Sequence, residues 1–437
     1  MWMNGDRSEI EKRLRERGFD EFEVYCKLGR SRSFVVNQGN RLFAGREEKG
    51  WAVRAGNRRA SLFVCGTGEE PMGEEWPEAD GQPLRLPGPV DVPPWQEPGT
   101  LAEPLLAENE GWSMVETFVA TLASELPAAS LTRLKLEDGE SEARIESSKG
   151  VAGEVRQRIA TLHLEAALSG PRPSAAVFDL CRRAGRQVDP VALARRIADL
   201  LAVRRDGEAP PRDRGDLVLA PAVVVRLLAG LMPLLVGTDA ASLARRLRDR
   251  SNRVAGRGVS IIDDGRLAEG LAAAPIDGEG VPTARLTLVH EGTFERPLLA
   301  WWQEPSTQGP RVGCSQRQSW RDVPRPGPSH LFIEPDAGCA VGDLIASVAR
   351  GYYLIEAGGA ATMDFANDRL QVPVDGLALE QGRAVRPVAN AWLVGSISGL
   401  LHGIEACGRD LTFFAWGGLL GTPTIRVVGL ELRDQPG

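Results

Sequence analysis

Only one histidine in this chain is followed directly by a glutamate, at His290-Glu291. A metallohydrolase uses neutral imidazoles as ligands and a carboxylate that takes a proton from the metal-bound water, so such a pair is a candidate metal site. No histidine follows this pair at ligand spacing. The surrounding sequence, LTLVHEGTFERPLL, favours two strands joined by a tight turn at Glu291-Gly292. We therefore predict a hairpin here and no metal role.

The other three histidines, His163, His330 and His402, are isolated in sequence. They could converge in space, but no cysteine or carboxylate accompanies them at motif spacing, so core or surface positions are favoured. No G-x-S-x-G segment is present, which leaves the serines without the sharp turn that exposes a nucleophile. We predict no catalytic residue, no cofactor-binding residue and no metal ligand, although a Ser-His-Asp arrangement of distant residues stays open.

Composition limits the class of protein. At 437 residues the chain exceeds the usual size of one hydrophobic core, so two or three domains are expected. A net charge of −7 argues against broad binding to nucleic-acid phosphates, which needs a basic face. The six cysteines are scattered with no C-x-x-C pair, and residues 1–10 are polar, which together predict a cytoplasmic protein with reduced thiols and no signal peptide.

The most apolar part of the chain is Leu217–Gly237, LVLAPAVVVRLLAGLMPLLVG. Its length is close to that of a membrane span. Arg226 lies near its middle, and Pro221 and Pro233 interrupt it, so we predict a buried strand at Leu217–Ala220 followed by a buried helix, and no membrane contact.

The elements before this segment divide at proline-rich stretches. Pro71–Pro98 holds eight prolines, which lack a backbone donor and fix φ, and therefore predicts an extended connector. Adjacent Pro210 and Pro211 mark a second boundary. We predict an N-terminal α/β domain over 1–70, a connector over 71–100, a middle α/β region over 101–208 and a C-terminal β-rich domain over 215–437.

Within these regions, hydrophobic periodicity gives individual elements. The predicted helices are Asp6–Arg17, Ser113–Glu125, Asp189–Val203 and Val341–Arg350. The predicted strands are Glu23–Leu28, Ser33–Val36, Trp51–Ala55, Ala60–Cys65, Leu131–Glu137, Ser141–Ser147, Gly153–Leu168 and Tyr352–Glu356, with a hairpin at Gly56-Asn57 and a strand at Trp301-Trp302 that places one ring on each face. The expected fold is α+β, with small, mainly antiparallel N-terminal sheets and a sandwich-like or barrel-like C-terminal domain.

Several segments, in order, resemble those of the TldD/PmbA (TldD/TldE) metallopeptidase family. They are EVYCKLGRSRSFVVNQ at Glu23–Gln38, EKGWAVRA at Glu48–Ala55, DGEGVPTARL at Asp277–Leu286, SHLFIE at Ser329–Glu334, GIEACGRDL at Gly403–Leu411 and GTPTIRVVGLEL at Gly421–Leu432. Each is moderately specific, but the ordered set spans nearly the whole chain.

The resemblance assigns the metal-binding positions. In TldD-type members the strand and proline lead into a helix with His-Glu-x-x-x-His, and these positions correspond here to Ala229, Gly230 and Leu234. The family's cysteine ligand corresponds to Gly418, eight residues after Asp410. Cys407 lies before that point, so we expect it to be a small buried apolar residue. None of the corresponding side chains can bind zinc or move a proton.

The chain therefore resembles the PmbA/TldE type, the partner without the metal. The resemblance implies a heterodimer in which a TldD-type subunit carries zinc and the pair hydrolyses unfolded peptides or matures peptide natural products; members also carry a historical label as modulators of DNA gyrase. This chain would then form chamber wall and bind peptide without catalysis. Two alternatives stay open: an active hydrolase or biosynthetic enzyme with a rebuilt site, and a homodimeric peptide-binding scaffold.

The glycine-rich segment Trp416–Thr424, WGGLLGTPT, occupies the place of the TldD-type cysteine loop. Glycines let a peptide backbone approach closely. One interpretation is a plain loop between two strands. The other is a loop that lines the chamber, with the peptide-contacting positions Trp416, Gly417, Gly418, Gly421 and Thr422.

Overall fold

The computed structural model describes residues 7–68, 84–169, 174–210, 212–268, 270–303, 312–415 and 418–436. The second half of the proline-rich connector, residues 84–98, is irregular, as its prolines predict. The first half of the connector lies outside the described residues.

The N-terminal half consists of one sheet and three helices within the described residues. The helices are α1 (Arg7–Glu16), α2 (Glu108–Glu125) and α3 (Pro190–Asp206), with short 3₁₀ turns at Gly99–Ala102 and Gly185–Gln187. The strands are β1 (Glu21–Asn37), β2 (Asn40–Gly56), β3 (Ser61–Thr67), β4 (Ala129–Ser147), β5 (Ala152–Leu168) and β6 (Ser174–Arg182). They form an antiparallel sheet in the order β3-β2-β1-β4-β5-β6. The regions 1–70 and 101–208 thus contribute strands to the same sheet.

These strands are longer than the sequence pattern predicts. The two strands predicted at Glu23–Leu28 and Ser33–Val36 are one strand, β1, and those predicted on either side of Gly139 are one strand, β4. The middle of β1, around Arg30, is half-exposed or exposed. Alternation of buried and exposed residues is lost where neither face is buried, although backbone pairing continues.

Helices α2 and α3 pack together and bury a shared apolar cluster against the sheet. Phe34 of β1, Phe118 of α2 and Ile197 of α3 are almost fully buried in it. The Asp189 side chain accepts hydrogen bonds from the backbone N–H groups of Val191 and Ala192, and so caps α3 as predicted.

The C-terminal half contains the remaining elements. The helices are α4 (Pro221–Gly230), α5 (Met232–Leu235), α6 (Ala240–Leu247), α7 (Val341–Ala346) and α8 (Ile397–Gly403). The strands are β7 (Arg212–Asp213), β8 (Asp216–Leu219), β9 (Ile261–Asp264), β10 (Arg285–His290), β11 (Thr293–Phe294), β12 (Ser315–Gln316), β13 (Arg325–Pro326), β14 (His330–Ile333), β15 (Arg350–Ala357), β16 (Thr362–Asp364), β17 (Arg369–Glu380), β18 (Arg383–Gly395), β19 (Ile404–Cys407), β20 (Thr412–Ala415), β21 (Leu419–Thr422), β22 (Ile425–Val427) and β23 (Glu431–Arg433).

Two larger sheets organise these strands. One has the order β11-β10-β9-β14-β21-β20, and the other has the order β19-β22-β8-β15-β17-β18-β23-β7, with β16 paired to β17. Residues of both sheets and of α4, α5 and α6 share one apolar core. The predicted α+β class is confirmed, and neither sheet closes into a barrel within the described ranges. No described helix combines the length and the apolarity that crossing a membrane requires.

Two local predictions are wrong. The helix predicted at Val341–Arg350 ends at Ala346, because Arg350 already begins β15. Trp301-Trp302 lies in a turn and not in a strand; Trp302 is 48% exposed. The predicted hairpins are present, and at the second one Glu291 and Gly292 both have positive φ, as a two-residue turn between β10 and β11 requires.

A buried ionic network joins the two halves of the molecule. Arg54 of β2 places Nη2 2.9 Å from Glu23 Oε2 of β1 and 2.9 Å from Glu279 Oε1 of the C-terminal half. Arg317 pairs with the other oxygen of Glu23, and the Ser315 hydroxyl donates to Glu279 Oε2. Burial raises the pKa of Glu23, but the two arginines more than offset this, so its pKa is below the usual value.

We predict that Arg54→Ala destabilises the fold by about 3–5 kcal/mol, because it leaves buried carboxylates without their shared cation. Urea denaturation measures this. Arg15→Ala, which removes an exposed pair with Glu11 on α1, is the matched control and should cost about 0.5 kcal/mol or less. Similar losses in both variants would contradict a structural role for the network.

Candidate functional site

The apolar segment forms the predicted buried strand, but the single helix predicted after it is divided into α4 and α5 at Leu231, since Pro233 has no N–H to continue the pattern of α4. β8 pairs with β15 and β22 in the interior of a sheet, and Ala220 has extended φ and ψ immediately before α4. Pro221 occupies the first turn of α4, where its missing N–H costs no hydrogen bond. The helix is buried along most of its length because nearly all its side chains are aliphatic.

The three positions that correspond to the metal motif lie in apolar surroundings. Ala229 packs against the core, and Leu234 is 1% exposed within it. A Cβ atom added at Gly230 would lie 3.0 Å from Met363 Cε of β16. In the described part of the chain, no group of three or more His, Cys, Asp or Glu residues could hold a metal ion.

A small charged pocket beside α4 was not predicted from sequence. It contains Arg226 of α4, Asp179 of β6 and Glu356 of β15. Arg226 Nη2 lies 3.9 Å from Asp179 Oδ2. Burial raises the pKa of Glu356 and lowers that of Arg226. In the sequence, the single arginine of an otherwise apolar helix, Arg226, is the feature that could have indicated this pocket.

The pocket is too small for a substrate. Its volume is about 20 Å³, which is enough for about one water molecule. The charges of Arg226, Asp179 and Glu356 can therefore compensate one another, but they cannot act on a bound peptide. This geometry gives no support to a rebuilt hydrolytic site at α4.

The glycine-rich segment forms the connection between β20 and β21. Trp416 and Gly417 lie outside the described residues. Gly421 and Thr422 are buried in β21, and the Thr422 hydroxyl donates to the Pro221 carbonyl at the start of α4. A Cβ atom at Gly421 would lie 2.6 Å from Phe413, so this glycine permits close packing of the sheet.

Gly418 is the described residue of the segment that borders open space. It has φ of +139°, and it lines a groove of about 430 Å³ beside the β12–β13 pair. Gln316, Gln318 and Arg325 also line this groove. Leu419–Thr422 of the segment form strand β21 itself, so this part is not a loop. A contact between its residues and a peptide stays a prediction.

The isolated histidines have separate environments. The His163 ring forms hydrogen bonds with Asp179 and Glu165, and His402 Nε2 donates to the Leu247 carbonyl. The buried His330 ring accepts from Ala272 N and donates to the Asp264 carbonyl, and burial lowers its pKa to about 4. These partners assign neutral, structural imidazole to His330.

Cys407 lies in β19 and is 5% exposed, as expected for a small apolar residue. Burial raises the pKa of its thiol to about 12, which opposes a role as a thiolate ligand. Among the described residues, no disulfide involves any of the six cysteines.

Residues 212–433 match the family model of the PmbA/TldA metallopeptidase C-terminal domain. The chain is 24% identical over 169 residues to a metalloprotease TldD homolog of Buchnera aphidicola, covering 39% of this chain and 35% of that protein. It is 26% identical over 164 residues to the homolog of Haemophilus influenzae, covering 35% and 34%. The chain thus spans about a third of the length of these curated relatives.

Solved structures share the fold over nearly the full length. TldE from Thermococcus kodakarensis has a TM-score of 0.84 at 17% identity, covering 97% of this chain and 99% of that one. A putative modulator of a DNA gyrase from Thermotoga maritima has a TM-score of 0.79 at 16% identity, covering 98% and 100%. With a family model that matches the C-terminal half, from β7 to β23, the chain belongs to the PmbA/TldD family.

Proposed function

We propose that this chain is the metal-free, TldE-type subunit of a two-subunit metallopeptidase that acts on unfolded peptides or peptide natural-product precursors. The observation that carries the proposal is the apolar character of α4 and α5. By the resemblance, Ala229, Gly230 and Leu234 correspond to the family's ligands and general base. Zinc would then belong to a TldD-type partner, and this chain would contribute chamber wall and peptide contacts.

The surroundings of α4 support the loss of metal binding as well as the sequence does. Leu234 is 1% exposed in the core, so an imidazole there would have to be desolvated among aliphatic side chains. A glutamate at Gly230 would require Met363 to move. The described surroundings of α4 and α5 are thus suited to packing, which supports the proposal.

The groove beside Gly418 supports a peptide-binding role. Its volume of about 430 Å³ fits an extended segment of a few residues. Gln316, Gln318 and Arg325 line the groove, and their amide and guanidinium groups can bond the backbone carbonyls of a peptide of any sequence.

We predict that the purified chain contains no stoichiometric zinc and hydrolyses no peptide alone. Co-expressed with a TldD-type subunit, it should elute with that subunit in size-exclusion chromatography, and the complex should contain zinc and be active. Elemental analysis measures the zinc content and a peptidase assay measures the activity, each for the isolated chain and for the complex. Tightly bound zinc in the isolated chain would contradict the metal-free assignment, and separate elution at micromolar concentration would contradict the pairing.

We predict that Gly418→Ala destabilises the chain by about 1 kcal/mol, because φ near +139° is strained for any residue with a side chain. The added Cβ atom would also lie 2.8 Å from Pro328 Cγ. Urea denaturation checks this. An unchanged midpoint would show that the loop relaxes without cost. Bulky residues at Gly418 therefore cannot separate blocked entry from strain.

A cleaner obstruction of the groove is Gln318→Trp, because Gln318 is exposed and lines the groove. We expect this change to reduce peptide hydrolysis by the complex by about tenfold or more, through weaker substrate binding, with an unchanged melting temperature. Gln435→Trp, the same change at an exposed position near the C-terminus, is the control. Full activity of a folded Gln318→Trp complex would exclude the groove from the peptide path.

A further inference from the structure

A second cavity lies where the N-terminal sheet meets the C-terminal half. Its volume is about 80 Å³, several times that needed for one water molecule. Tyr25 and Lys27 line it from one face of β1, since residues two apart on a strand point the same way. Gln157 of β5 lines it from the same sheet, and Gln316 and Ser329 line it from the C-terminal half.

Two polar groups in this cavity have no partner within the described part of the chain. The Tyr25 side chain is 7% exposed, and its hydroxyl forms no hydrogen bond there. The half-buried Lys27 ammonium group forms no hydrogen bond or ion pair there; burial lowers its pKa, and the nearby Glu48 carboxylate opposes this shift. Nη1 of Arg317, which also lines the cavity, is buried without a hydrogen-bond partner among the described residues, so a ligand that accepts hydrogen bonds fits here.

The other charged groups at the cavity are already engaged. Asp277 accepts hydrogen bonds from three backbone N–H groups. Arg317 binds Glu23 and the Gly278 carbonyl, and Arg144 pairs with two surface glutamates. The donors left are the Lys27 ammonium group, the Tyr25 hydroxyl and Nη1 of Arg317. Their natural complement is a single anionic group that accepts hydrogen bonds, such as a carboxylate.

The remaining walls of the cavity and its position restrict which kind of ligand can bind. Ala143, Ile145, Val155 and Ile276 form an apolar side with room for a small residue. Gln316 and Arg317 line both this cavity and the groove beside Gly418, so the two spaces adjoin.

We propose that the cavity binds the C-terminal carboxylate of a peptide, held by Lys27 and Tyr25, with the small apolar side chain of the last residue against Ile145 and Ile276. The inference rests on the proposed function only for the identity of the ligand as a peptide. The chain would thus select substrates with a free C-terminus and fix their register in the groove.

The test is calorimetric titration of the isolated full-length chain with acetyl-pentaalanine as the free acid, as the C-terminal amide, and with N-acetylalanine. The acid should bind about tenfold or more tightly than the amide, and more tightly than N-acetylalanine, which lacks the groove contacts. Lys27→Met and Tyr25→Phe should each remove the preference for the acid. Lys135→Met, on the same sheet but paired with Glu137 at the surface, should not.

Equal binding of acid and amide, absence of binding, or an acid preference that survives in folded Lys27→Met or Tyr25→Phe would overturn the proposal. N-acetylalanine binding as tightly as the peptide acid would replace the peptide with a free small carboxylate as occupant. Because partner and metal are absent from this titration, its failure leaves the proposed pairing untouched. If the chain instead forms no complex with a TldD-type subunit, the titration of the isolated chain still tests carboxylate binding.

Discussion

The shared cation Arg54 is the constraint on which the relation between the two halves depends. It lies between Glu23 of the N-terminal sheet and Glu279 of the C-terminal half and is itself only 6% exposed. A buried guanidinium with two carboxylates is stable in one geometry only, because any separation leaves a charge desolvated and unpaired. Apolar contact alone would let the N-terminal sheet slide against the C-terminal half. The buried ionic network does not, because its charges must stay paired.

Fixing that junction also fixes the spaces beside it. Arg317, which completes the pairing of Glu23, lines both the Tyr25–Lys27 cavity and the groove near Gly418. Trp320 packs against Gly50 of β2 so closely that any Cβ atom at that position would collide with its ring. The Tyr25–Lys27 cavity is therefore lined by both halves, whereas the groove near Gly418 is lined by the C-terminal half alone.

Part of the fold was predictable from sequence because it depends on interactions between neighbouring residues. The strand and helix at Leu217–Gly230, the Asp189 cap and the turn at Glu291-Gly292 follow from proline, side-chain capping and positive φ, which act within a few residues. The network was not predictable, since Glu23 and Arg317 are 294 positions apart. The length of β1 was also hidden, because its exposed middle carries no alternation.

The proposed loss of zinc and the proposed gain of a carboxylate site concern different parts of the molecule. At α4 and α5 aliphatic side chains pack in the apolar core, and the Thr422 hydroxyl donates to the Pro221 carbonyl at the start of α4. At the junction between the halves, Lys27, Tyr25 and Nη1 of Arg317, which is buried without a hydrogen-bond partner among the described residues, line a cavity. A subunit that only filled space would bury apolar residues at both places. Hydrogen-bond donors kept around a cavity are what binding of an acceptor requires.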